Sequence, residues 1–164
     1  NSVIVALIAF ASCESFAGFD EGKAAFMERD FTTALKEFKP LADKGDKQAQ
    51  HILGMMYDEG QGVKQDYSQA AAWYKKAGAQ GHQDAQYNLG VMYAQAQGVE
   101  QSDMESFKWF EKAAKQGHVG AAQARDAMAK TMKAEDIAAG KLAASNWQAK
   151  LPASQPAVEA PLTH

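Results

Sequence analysis

The sequence predicts an all-α fold, an α-solenoid of antiparallel helix pairs, and three observations predict it. The chain repeats itself every 36 residues without a gap, so that Gly45–Gln80 laid on Gly81–Gln116 matches at 15 of 36 positions. A period of that length belongs to stacked supersecondary units, each of which buries its apolar face on its neighbours. Inside each unit the apolar residues fall into two runs at helical spacing, Ala49, Ile52, Leu53, Met56 and Tyr57, then Ala70, Trp73, Tyr74 and Ala77. Glycines stand between the runs, where a helix must stop and turn.

A short first helix is expected from about Phe19 to Glu28. Asp30 stands where an N-cap belongs, because its carboxylate can accept the free N–H groups of a first turn. Phe31, Ala34 and Phe38 lie 36 residues before Tyr67, Ala70 and Tyr74. They predict a second helix ending near Lys44, with Pro40 kinking it or forcing an early irregular turn. Residues 19–44 therefore read as a half repeat.

The unit 45–80 should hold helix A from about Lys47 to Tyr57 and helix B from about Tyr67 to Ala79, capped by Asp66. Gly60 and Gly62 break its internal loop. The unit 81–116 repeats this, with Ser102 as the second cap, Gly98 in the loop, and Gly81 and Gly117 stopping the B helices. After Gly117 the pattern decays. Ala121 keeps the Ala49/Ala85 position, but Ala124–Ala127 is Ala-Arg-Asp-Ala where Ile52–Met55 is Ile-Leu-Gly-Met. Residues 117–150 read as a terminal cap, its last helix from about Ala134 to Ala149 held by Ile137, Leu142 and Trp147. Pro152, Pro156 and Pro161 among small residues predict a disordered tail over 151–164.

The N-terminus carries a different pattern. Val3 to Ala11 is an uncharged apolar run too short to span a membrane. Ser15-Phe16-Ala17 then places small residues at −3 and −1 of a cleavage site, so residues 1–17 read as a secretory signal. The basic segment that opens such signals is not in the sequence, which starts at Asn1, and it is expected upstream. Cys13 is the only cysteine. Cleavage after Ala17 would remove it. Alternatively Phe10-Ala11-Ser12-Cys13 resembles a lipobox, with Cys13 lipidated as the first mature residue. The expected location is periplasmic or secreted, or membrane-anchored if Cys13 is acylated.

Ala49-Gln50-x-x-Leu53-Gly54-x-x-Tyr57, the loop from Tyr57 to Asp66, and Ala70-x-x-Trp73-Tyr74-x-x-Ala77 together resemble the Sel-1-like repeat, a relative of the tetratricopeptide repeat. Ala85-Gln86-x-x-Leu89-Gly90-x-x-Tyr93 and Trp109-Phe110-x-x-Ala113 carry the motif again. The resemblance covers about Phe19 to Lys150 and implies a right-handed α-solenoid serving as a non-catalytic scaffold for proteins. Two departures, Ala96 for Gly60 and Asp103 for Tyr67, put the second loop's turn and the start of its B helix in question. Gly54 and Gly90, without side chains, are expected where a neighbouring helix approaches closely.

Little in the chain points to catalysis. It has no Cys-x-x-Cys and no His-Glu-x-x-His. Gly60-Gln61-Gly62-Val63-Lys64-Gln65 fails the dinucleotide fingerprint and follows a helix rather than a strand. His82 and His118, one period apart, read as helix-start residues. His51 has no histidine in register, so no metal site and no cofactor are expected. Asp58-Glu59 reads as solvated charge at a helix end, and Met55, Met56 and Met92 as core filler. The net charge of −3, with no basic face, argues against nucleic acid. The rival reading is a small-molecule or cell-wall-fragment binder or enzyme, suggested by cysteine-rich relatives that act on penicillins; this chain has neither their disulfides nor a Ser-x-x-Lys.

Comparing the two units separates scaffold from surface. Positions identical in both are those that stacking demands, and helix A positions that differ are free to be specific. By analogy with tetratricopeptide relatives, helix A lines a concave face that takes a peptide or a partner helix. The candidate partner-binding residues are Gln48, His51, Ile52, Met55, Asp84, Tyr87, Asn88 and Val91. Ile52 and Met55 also suit contacts between helices.

Overall fold

The computed structural model describes residues 18–148. The expected signal, Cys13 and the Pro-rich tail lie outside them. Within this span the chain is all-helical: α1 (residues 18–27), α2 (Phe31–Asp43), α3 (Lys47–Glu59), α4 (Tyr67–Ala79), α5 (Gln83–Gln95), α6 (Asp103–Lys115), α7 (Val119–Ala129) and α8 (Ala134–Gln148). From α2 to α7 each helix packs on the next in the chain, and α3 also touches α5. The result is an α-solenoid of antiparallel pairs, as the period predicts.

Side-chain caps set the helix starts. Asp30, Asp46, Asp66 and Ser102 each accept the backbone N–H three residues on, at the N-termini of α2, α3, α4 and α6. His82 and His118 do the same through Nδ1 for Ala85 and Ala121, which makes them the helix-start residues expected. Asp103 in place of Tyr67 leaves the start of α6 intact, since a carboxylate in the first turn complements the helix dipole. Helix α3 runs two residues beyond Tyr57, to a left-handed C-cap at Gly60.

The close approach inside each pair rests on a glycine beneath a ring. A Cβ at Gly54 would lie 2.5 Å from Tyr74 Cδ1, and one at Gly90 would lie 2.7 Å from Phe110 Cδ1. Residues 18–44 repeat the device, with a Cβ at Gly22 falling 3.0 Å from Phe38 Cε1. The expected half repeat is therefore a full helix pair whose connecting loop has been shortened to residues 28–30. A second set of contacts fixes one pair on the next. Gly62 faces the backbone of Phe31, and Gly98 that of Tyr67, with no room for a side chain.

Buried glutamines join the pairs as well. Gln50 Nε2 donates to Ala42 O (3.0 Å) and Gln86 Nε2 to Gly78 O (2.8 Å), each tying an A helix to the end of the preceding B helix. Gln80 and Gln116 then donate to Gln50 Oε1 and Gln86 Oε1 at 2.8 and 2.7 Å. Gln50 and Gln86 are almost fully buried, and a lost partner would leave a desolvated polar group. Gln65 and Gln101 close the internal loops on the carbonyls of Asp58 and Ala94.

Two expectations are corrected here. Helix α2 continues through Pro40 to Asp43 rather than breaking early. The carbonyl that Pro40 leaves without a donor belongs to Lys36, an exposed residue, so water can satisfy it. At the other end, Leu142 is 63% exposed and does not anchor α8. This helix lies on α6 rather than on α7. Its buried contacts are Ala144 and Gly140, whose Cβ would lie 2.6 Å from Phe107 Cδ1. Ile137 is half-buried, and Trp147 donates its Nε1–H to Ala79 O at 3.1 Å, reaching the end of α4. Trp147 and Trp109 also flank the Lys112 ammonium, at 5.4 and 3.8 Å from the ring centres. Burial, with Lys108 adding to it, brings the Lys112 amine down to about 8.

Ala96 takes the place of Gly60 with the turn unchanged: its φ is +55°, against +68° for the glycine. Left-handed backbone costs an L-residue roughly 1–2 kcal/mol. Part of that gain is offset by the greater freedom of glycine in the unfolded chain. Ala96→Gly should therefore stabilise the protein by about 0.5–1 kcal/mol, read as a rise in Tm of about 2–5 °C.

Candidate functional site

Successive A helices lie side by side, and the cap that starts each one reaches back over its predecessor. The His82 ring stacks on His51 of α3, with ring centres 4.3 Å apart and planes 23° apart. One period on, His118 stacks on Tyr87 of α5 at 4.6 Å and 17°. A backbone amide fixes each histidine through Nδ1, so the flat pairs recur because the caps recur.

A polar network surrounds the first pair. Asn88 Nδ2 lies 3.4 Å from His51 Nε2. Tyr74 Oη donates to Asp58 Oδ2 at 3.2 Å. Asp58 is thus a half-buried acceptor and not the solvated charge expected of it. Burial, reinforced by His82, pushes His51 down to about 4, while Asp84 acts in the opposite sense. Burial also lowers His82, opposed by Asp84. Burial and the Asp58 carboxylate raise the Tyr74 phenol. At neutral pH the site is two neutral imidazoles, a phenol and an amide against one carboxylate.

The predicted residues divide in two. His51, Asn88, Tyr87 and Asp84 meet at the seams between A helices; Asp84 Oδ1 lies 3.5 Å from His118 Nε2. Ile52, Met55 and Val91 are partly buried against three separate core clusters and serve the packing, showing only an edge to solvent. Gln48 is exposed in the first turn of α3. Sequence reasoning missed Tyr74, Asp58, His82 and His118 as members of the site. The signal for two of them was present, since Asp58/Ala94 and Tyr74/Phe110 differ between the units by single polar groups. Among the described residues no cluster of His, Cys, Asp and Glu could hold a metal ion. No described helix is long and apolar enough to cross a membrane.

Comparison with known proteins adds the family. The Sel1 repeat matches twice, over residues 47–82 and 83–118. Among solved structures, the chain is similar to a protective antigen of uropathogenic Escherichia coli that displays an SLR fold, with 31% identity and a TM-score of 0.77 over 83% of this chain. It is also similar to a Sel1 repeat protein from Oxalobacter formigenes, with 32% identity and a TM-score of 0.61 over 63% of this chain. The chain spans 30% and 43% of the lengths of these two proteins. No curated protein matches it.

The depressed His51 links stability to pH. Its ordinary value is 6.5, so below that the unfolded chain binds a proton that the folded chain refuses until about 4. Stability should fall as pH drops from about 6.5 to 4 and then level off for this group, by on the order of 1–3 kcal/mol, with His82 adding in the same direction. Chemical denaturation at pH 7, 5.5 and 4 measures the loss, and His51→Tyr, the residue of the second unit, should flatten it.

Proposed function

This chain belongs to the Sel1 repeat family, and from that premise we propose that it is a non-catalytic adaptor of the bacterial cell envelope, holding a peptide or partner helix along its A helices. Sel1 repeat proteins are in general scaffolds for protein interaction. The observation that carries the finer reading is the pair of stacked rings, His82 on His51 and His118 on Tyr87, half-buried at successive seams. Flat, partly exposed rings held rigid by the backbone lose little entropy on binding and suit an anchor role within a polar rim. Export is supported by the apolar run from Val3 to Ala11 and by Ser15-Phe16-Ala17 after it.

Affinity capture from a cell-envelope fraction, with partners identified by mass spectrometry, tests the reading. Tyr87→Ala should weaken capture of the specific partner at least about ten-fold, the equivalent of about 1.4 kcal/mol. Unchanged capture would remove the helix A face from consideration.

A further inference from the structure

The two seams act as controls for each other. At the first seam the facing positions are His51, Asp58, Tyr74 and Asn88; 36 residues on they are Tyr87, Ala94, Phe110 and Ala124. The histidine caps are common to both. Phe110, 3% exposed, covers Gly90 as Tyr74, 1% exposed, covers Gly54. The fold is therefore built without the Tyr74 hydroxyl, the Asp58 carboxylate or the Asn88 amide. Polar groups drawn out of water cost free energy unless they are paired. Their presence in one seam and absence from the other calls for a reason outside the scaffold.

The network leaves acceptors over. Tyr74 takes Asp58 Oδ2, and the Asn88 amino group faces His51 Nε2. Among the described residues no hydrogen bond reaches Asp58 Oδ1 or Asn88 Oδ1. The half-buried His51/His82 pair joins this network at His51, whose Nε2 lies 3.4 Å from Asn88 Nδ2. The surrounding charge is negative: Asp58 and Glu59 on α3 and Asp84 on α5 stand against Lys47, the one basic residue of these two helices. Asp84 acts on His51, and Glu59 on Tyr74, so both acids lie within electrostatic reach of the network.

We propose that the first seam is a binding site for the guanidinium group of an arginine on the partner, stacked on the His51/His82 pair and bonded to Asp58 and to the Asn88 carbonyl. A planar fork of donors matches a carboxylate oxygen beside an amide oxygen, and it stacks on rings; a lysine ammonium offers neither geometry. This rests on the reading of the A helices as the partner surface and names the chemistry of that partner.

An NMR titration of the protein with N-acetyl-arginine methylamide tests it. Saturable shifts should centre on the Asn88 side-chain amide and the His51 and His82 rings. The citrulline analogue, isosteric and uncharged, should bind at least ten-fold more weakly. Asp58→Asn, which keeps an acceptor for Tyr74 and removes the charge, should weaken the arginine probe at least ten-fold and leave the melting temperature within a few degrees. The fourfold variant His51→Tyr, Asp58→Ala, Tyr74→Phe, Asn88→Ala writes the second seam into the first; it should fold and show no shifts at the seam. Equal binding of citrulline, wild-type binding by Asp58→Asn, or a fourfold variant that does not fold would each overturn the proposal. Partner capture that is sensitive to Tyr87→Ala but indifferent to Asp58→Asn would sink the arginine site alone. Capture indifferent to Tyr87→Ala would sink the wider reading, and the titration would still decide whether the seam takes a guanidinium.

Discussion

A glycine beneath an aromatic ring sets the distance between the helices of every pair in this protein. Gly22 lies under Phe38, Gly54 under Tyr74 and Gly90 under Phe110, and each ring is nearly or fully buried. A glycine inside a helix costs about 1 kcal/mol relative to alanine, so three of them at equivalent places need a gain to match. That gain is the space the ring fills. Helix α8 uses the same device when Gly140 takes Phe107, although it docks on the far side of a B helix and belongs to no pair. Once the pairs are set at this distance, the Gly62 and Gly98 contacts and the buried glutamines fix how one pair sits on the next.

With the spacing fixed by glycines and rings, the outward positions of the A helices are released from structural duty, and there the two units diverge. The caps show how scaffold and surface can share a residue. His82 must be a cap for α5 to begin, and a cap placed there lies over position 51. A histidine in that role delivers a flat ring to the seam at no extra structural cost. What else the seam carries depends on residues that the stack does not require, and the first seam holds the Tyr74 hydroxyl, the Asp58 carboxylate and the Asn88 amide where the second has Phe110, Ala94 and Ala124.

Most of the fold was legible in the sequence because its constraints recur at a fixed period. The matched glycines, alanines, glutamines and aromatics are those that now have contacts, and the caps at Asp30, Asp66 and Ser102 marked helix starts to the residue. What escaped notice in the fold had no second copy in register. Gly22 stands 32 residues before Gly54, not 36, because the first loop is four residues shorter. The position of α8 has no counterpart in the repeats, so Leu142 was credited with a contact that Gly140 and Ala144 make. The site was half legible. His51 and Asn88 stand out as helix A differences, but Asp58, at a helix end, has the look of solvated charge until Tyr74 is seen to reach it from sixteen residues away. Pro40 misleads because the carbonyl it leaves without a donor belongs to Lys36, an exposed residue, where water can take the place of the missing N–H.

The central claim, that glycine serves ring contact and ring contact sets the pair, is tested most directly by a double-mutant cycle at Gly90 and Phe110 followed by chemical denaturation. With Phe110 in place, Gly90→Ala should destabilise by about 1–3 kcal/mol, because its Cβ would meet the ring. With Phe110→Ala already made, the same substitution should stabilise by about 1 kcal/mol, the ordinary helix preference for alanine. A change of sign between the two backgrounds is the predicted result. The same effect in both backgrounds would contradict the account, since the glycine would then owe nothing to the ring.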